Sequence, residues 1–110
     1  MRLIIFTFLT FFSLLGQASS QDINLGILAY KKGNYADALR YLLPIADSET
    51  DYIQLRMSEN FPTETPLAQY YVGLMYCYGK GVKRNKDMAL DWFLKAKRGG
   101  NSLAKATKCD

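Results

Sequence analysis

The sequence predicts an all-α fold of two helical hairpins followed by a terminal helix, and three observations lead there. Residues 68–100 read as two helices joined by the turn Gly79-Lys80-Gly81-Val82 and closed by Gly99-Gly100. An earlier stretch echoes this one. Tyr30-Lys31-Lys32-Gly33 corresponds to Tyr76-Cys77-Tyr78-Gly79, and Ala38-Leu39-Arg40-Tyr41 corresponds to Ala89-Leu90-Asp91-Trp92. A repeat on this scale implies stacked helical hairpins. Finally, small residues face each other in the later pair: Ala68 and Gly73 on one helix, Ala89 and Ala96 on the other. They let two backbones approach, while Tyr76 and Trp92 fill the space beside them.

Residues 1–20 read as a secretory signal peptide rather than as part of the fold. Met1-Arg2 gives a positive start, LIIFTFLTFFSLL over residues 3–15 is apolar, and Gly16, Ala18, Ser19 and Ser20 supply small residues for cleavage. The apolar run falls short of the roughly 20 residues that a transmembrane helix needs. Cleavage after Ala18 or Ser20 leaves one domain of about 90 residues, small enough that its margin of buried surface is thin. No stable membrane insertion is then expected, and the setting is periplasmic or secreted. An uncleaved N-terminal anchor is the alternative.

The first hairpin spans residues 21–46. Asp22 is placed to cap a helix over 23–32, with Ile23, Ile27 and Tyr30 at helical spacing. Gly33 ends it, because glycine accepts the left-handed conformation there. Asn34 is then expected to cap a helix over 35–46 whose inner stripe is Ala38, Leu39, Leu42 and Ala46. Pro44 removes a helical donor and implies a kink or an early end.

Residues 47–65 interrupt the repeat. Tyr52, Ile53, Leu55 and Met57 make this insert too apolar for a plain disordered linker. A short helix over 50–59 or a packed loop is expected. It serves either as a functional loop or as a plug for the open end of the first hairpin. Thr65-Pro66 restarts the helical pattern as cap and first helical residue. Asn85 caps the next helix after the turn. Leu67-Ala68 recurs 36 positions later as Leu103-Ala104, so residues 101–110 open a terminal helix.

The spaced residues Ala68, Gly73, Tyr76, Gly79, Gly81-Val82, Ala89, Trp92, Ala96 and Gly100 resemble a Sel1-like repeat, a relative of the tetratricopeptide repeat with a longer turn. The resemblance covers about a third of the chain. It implies a short right-handed α-solenoid in which the first helix of each hairpin lines the concave face. It also implies a non-catalytic scaffold or adaptor of the cell envelope that docks a protein partner. Some exported members hold toxins as immunity-type inhibitors, which is an alternative here. Asp47–Thr65 has no counterpart in the family, whose units follow one another closely.

No catalytic constellation is present, and no cofactor or metal is expected. The chain has no histidine, which removes the commonest general base and metal ligand. Asp87 and Asp91, four apart near Lys83 and Lys95, read as an exposed ion-paired helix face. Gly79-Lys80-Gly81 lacks the strand and spacing of a phosphate loop. Cys77 and Cys109 are the two cysteines. In an oxidising compartment they could pair; two free thiols or an intermolecular bridge are the alternatives.

Charge is unevenly spread. Residues 21–66 carry seven acids against four bases, and residues 80–110 carry nine bases against three acids. Such asymmetry can steer an acidic partner to the C-terminal half, support self-association, or simply solvate two faces. It can also serve an envelope polymer, peptidoglycan or anionic lipid; nucleic acid is not expected. With Ala68, Tyr70, Val72, Gly73 and Tyr76 assigned to packing, Tyr71, Leu74 and Tyr78 remain on the other side of their helix. They are either docking anchors on the concave face or part of a helix buried all round. Lys80, Lys83, Arg84 and Lys86 lie next to them and would attract an acidic surface.

Overall fold

A computed structural model describes residues 20–48 and 64–109. The expected signal peptide, but for Ser20, and the expected helix over 50–59 lie outside the described residues. Among the described residues five helices follow in chain order: α1 Ser20–Lys32, α2 Tyr35–Ala46, α3 Glu64–Tyr78, α4 Lys86–Arg98 and α5 Ser102–Ala106. No strand occurs among the described residues. The helices α1 and α2 form one hairpin and α3 and α4 the other; α2 packs on α3, and α5 on α4. The result is a short α-solenoid, as the sequence predicts.

Glycine sets where three of the helices stop. Gly33, Gly79 and Gly100 take positive φ of 84°, 66° and 94°. In each case the next amide folds back over the helix end: Asn34 N donates to Ala29 O at 2.8 Å, Lys80 N to Met75 O at 2.8 Å, and Asn101 N to Ala96 O at 2.9 Å. These bonds satisfy terminal carbonyls that a helix leaves unpaired. The long turn of the second hairpin is closed by Asn85 N donating to Tyr76 O at 2.9 Å. It lies over the start of α2, where a Cβ on Gly81 would come within 2.8 Å of Tyr35.

The core divides into two clusters. Ala38, Leu42, Ile45, Ala68, Val72, Met75 and Trp92 belong to the first, which joins the hairpins. Cys77, Ala89, Phe93, Ala96 and Ala104 form the second, beneath α5. Each hairpin depends on one glycine where its helices meet. A Cβ on Gly26 would lie 2.6 Å from Leu42, and one on Gly73 would lie 2.6 Å from the Phe93 ring. Gln69 is a buried polar residue between the hairpins. Its Nε2 donates to Ala46 O at 3.1 Å, satisfying a carbonyl at the end of α2, while its Oε1 has no partner.

Several local expectations are corrected. α1 begins at Ser20, so Asp22 lies in its first turn, where a carboxylate favours the positive end of the helix dipole. Asn34 stands at the cap position of α2, but its side chain makes no capping bond. Its backbone is already committed to the glycine turn before it. Pro44 does not stop α2, which runs two residues further to Ala46. Thr65 lies inside α3, buried, with its hydroxyl 3.2 Å from that of Ser48. The two ends of the insert therefore meet. Asn101 caps α5, accepting from Ala104 N at 3.0 Å. That helix stops at Ala106, covering only part of the expected span 101–110.

Candidate interaction surface

Aromatic rings connect the hairpins in a continuous row. Tyr35 meets Tyr30 at 5.7 Å between ring centroids, Tyr30 meets Tyr71 at 5.3 Å, Tyr71 meets Tyr70 at 5.6 Å, and Tyr70 meets Phe93 at 6.0 Å. The first three contacts are edge-on, the geometry the ring quadrupole favours. The row exists because Tyr30 ends the first helix of one hairpin while Tyr70 and Tyr71 sit mid-helix on the next. Tyr30, Tyr35, Tyr70 and Tyr71 are half-buried, while Tyr78 at the end of α3 is 55% exposed.

The phenols are close enough to sense one another. Burial pushes the Tyr30 hydroxyl above its ordinary pKa of 10.0, and the neighbouring Tyr35, Tyr70, Tyr71 and Tyr78 add to the effect. Burial raises Tyr71 as well, with Tyr70 adding to it. At neutral pH Tyr30 and Tyr71 therefore present uncharged hydroxyls, each able to donate and accept. Rigid rings with a polar tip give large contact area at low entropic cost, which is why tyrosine is favoured in binding surfaces.

Tyr71, Leu74 and Tyr78 do not make one uniform stripe. Tyr71 packs against the first core cluster and Leu74 against the second, both half-buried. Tyr78 alone of the three is open to solvent. The sequence reading missed Tyr30, Tyr35 and Tyr70 as neighbours of this surface. The signal was present in the Tyr70-Tyr71 doublet and in Tyr30, whose equivalent is Tyr76.

The four basic residues have different surroundings. Lys80 Nζ lies over the Tyr35 ring, 5.5 Å from its centroid, so the turn's cation extends the tyrosine row. Arg84 Nε donates to Cys77 O at 3.0 Å and thereby helps close the end of α3. Lys83 and Lys86 are exposed. No ion pair links Asp87 or Asp91 to Lys83 or Lys95. Lys95 instead lies 4.4 Å above the Trp92 ring.

Cys77 and Cys109 are joined in a disulfide, with 5.4 Å between their Cα atoms and a sequence separation of 32. Cys77 is fully buried and Cys109 half-buried. A continuous helix would have placed Cys109 level with Gly73, a turn short of Cys77. The chain instead leaves the helix after Ala106, with Thr107 at φ −83° and ψ 124°. Extended backbone advances about 3.3 Å per residue against about 1.5 Å in a helix, and this supplies the missing reach.

Among the described residues no group of three or more His, Cys, Asp or Glu is placed to hold a metal ion, and no helix is long and apolar enough to cross a membrane. No curated protein and no solved structure matches the chain. The Sel1 repeat family model does match it, over residues 66–101. Those residues carry α3, the long turn, α4 and the glycine pair that ends it, so the second hairpin, about a third of the chain, is similar to a Sel1 repeat; such repeats generally mediate protein–protein interaction.

Proposed function

We propose that the chain is an exported, non-catalytic scaffold that docks an acidic protein partner on the tyrosine face shared by its two hairpins. The carrying observation is the gathering of Tyr35, Tyr70, Tyr71 and Tyr78 around Tyr30, with Lys80 at its edge. Aromatic anchors beside exposed cations suit a surface bearing carboxylates, which the hydroxyls and ammonium groups would meet. The disulfide and the apolar N-terminus support an oxidising compartment outside the cytoplasm.

The test is crosslinking capture from the exporting cell, with mass spectrometry to identify what is held. Tyr71 and Leu74 are unsuitable positions for it, because both contribute to core packing. Tyr78→Ala combined with Lys80→Glu alters exposed groups only. One dominant acidic protein, retained in moderate salt and lost with this variant while helicity is native, supports the reading. Recovery of envelope polymer alone, lost steeply as salt rises, would replace it with polymer binding through the basic half. Undiminished capture by the variant would place the docking face elsewhere.

A further inference from the structure

The tyrosine face is rich in hydrogen-bond donors that the described chain does not use. Tyr30, Tyr35, Tyr70, Tyr71 and Tyr78 make no hydrogen bond through their hydroxyls among the described residues. The first four are half-buried and Tyr78 is exposed, so part of every ring meets solvent. Tyr30 and Tyr71 hold their protons well past neutral pH and remain donors there. A ligand for this row therefore has to bring open acceptors. The carbonyls of a helical segment are already paired along its axis. A segment binding as a strand needs a sheet edge, and no strand occurs among the described residues. A proline-rich segment differs from both. It keeps the polyproline II conformation, makes no internal hydrogen bond and leaves its carbonyls open, and its prolines carry no N–H.

The spacing of the rings agrees with that conformation. Tyr35 and Tyr71 lie 5.7 Å and 5.3 Å from Tyr30, centroid to centroid. Two such steps along the row come close to the roughly 9 Å that one turn of polyproline II advances. One proline per turn can thus lie against every second ring, while the carbonyls between meet the hydroxyls. Charge enters at the Tyr35 end of the row, where Lys80 Nζ lies 5.5 Å from the ring centroid. Building on the docking face proposed above, we infer that the partner presents a proline-rich segment in the polyproline II conformation, with carboxylates at the end that meets Lys80. Such a segment is ordered before it binds, which lowers the entropic cost of docking on an open row.

Fluorescence anisotropy with two labelled peptides, on the purified protein with its disulfide intact, tests this. One peptide is hexaproline followed by three glutamates. The other carries the same glutamates after glycine and serine in place of proline. The proline peptide is expected to bind about tenfold more tightly, because the glycine–serine chain must be ordered on binding. Lys80→Glu should weaken it. Tyr30→Phe combined with Tyr71→Phe keeps both rings and removes two donors, with circular dichroism to show unchanged helicity. That variant should weaken the proline peptide about tenfold, the loss of two neutral hydrogen bonds. Equal affinity for the two peptides overturns the inference and leaves an acid-binding face standing. Unchanged affinity in the tyrosine variant overturns it too. So does failure of both peptides to bind, and the crosslinking capture, which uses neither, then decides separately whether the docking face survives.

Discussion

Tyr30 meets the ring of Tyr71 edge-on, 5.3 Å between centroids with the planes at 72°, and so ties the first hairpin to the second. Such a pair contributes about 0.5–1.5 kcal/mol beyond the area it buries. A double-mutant cycle with Tyr30→Leu and Tyr71→Leu should therefore give a coupling of that size in urea unfolding. A coupling near zero would mean that the apolar contacts of Leu42, Val72 and Met75 hold the hairpins together without help from the rings.

At Gly73 the two helices of the second hairpin approach closely through a side chain. Phe93 is buried, and its ring occupies the space a Cβ would need. Gly73→Ala should therefore destabilise the protein by roughly 1–3 kcal/mol, the usual range for overpacking. Helix propensity alone argues the other way, since alanine is favoured over glycine by up to about 1 kcal/mol. The denaturation midpoint decides between them. Adding Phe93→Leu to Gly73→Ala should recover part of the loss, and a stabilising Gly73→Ala would refute the close contact.

How far the fold was legible follows from which interactions are local. The helices of both hairpins were readable because their apolar spacing, their glycine stops and their internal echo all lie within a few residues. The caps were less so. Asn34 and Asn85 look alike in sequence, yet only Asn85 makes a side-chain cap, accepting from Met88 N at 3.1 Å. Asn34 follows directly on the glycine that closes α1, and Asn85 follows a longer turn that leaves it free to reorient. The tyrosine cluster was half legible. Tyr71 and Tyr78 share a helix, but Tyr30 and Tyr35 reach them only through the packing of α1 and α2 on α3. No periodicity within one helix reports that.

The Cys77–Cys109 bond fastens the last helix of the described chain. Closing a loop of 32 residues reduces the entropy of the unfolded chain enough to contribute about 3–4 kcal/mol in the loop-closure account. Because Cys77 is fully buried, the cleaner variant is Cys109→Ser with Cys77→Ala, which leaves no thiol to pair. Its unfolding free energy should fall by that amount relative to the oxidised wild type. Hydrogen exchange should show α5 losing protection before α3 does. Equal protection in both forms would mean that Ala104 and its neighbours hold α5 without the bond.

Alkaline pH tests whether the tyrosine cluster is as desolvated as its geometry implies. Burial first, and then neighbouring phenols, raise Tyr30 above 10.0, and the same two causes raise Tyr71. The folded chain thus holds these protons more tightly than the unfolded chain does. Their contribution to stability is complete below pH 10.0 and is lost as pH climbs through the raised values, because the unfolded chain ionises first. The urea midpoint of the wild type should accordingly fall more steeply above that pH than the midpoint of a Tyr30→Phe, Tyr71→Phe variant. Lysine titration and thiol exchange at the disulfide act on both proteins alike, so the difference between the two slopes isolates the phenols. Parallel slopes would show Tyr30 and Tyr71 to be as well hydrated in the folded protein as in the unfolded chain, and the row would then be a loose surface feature.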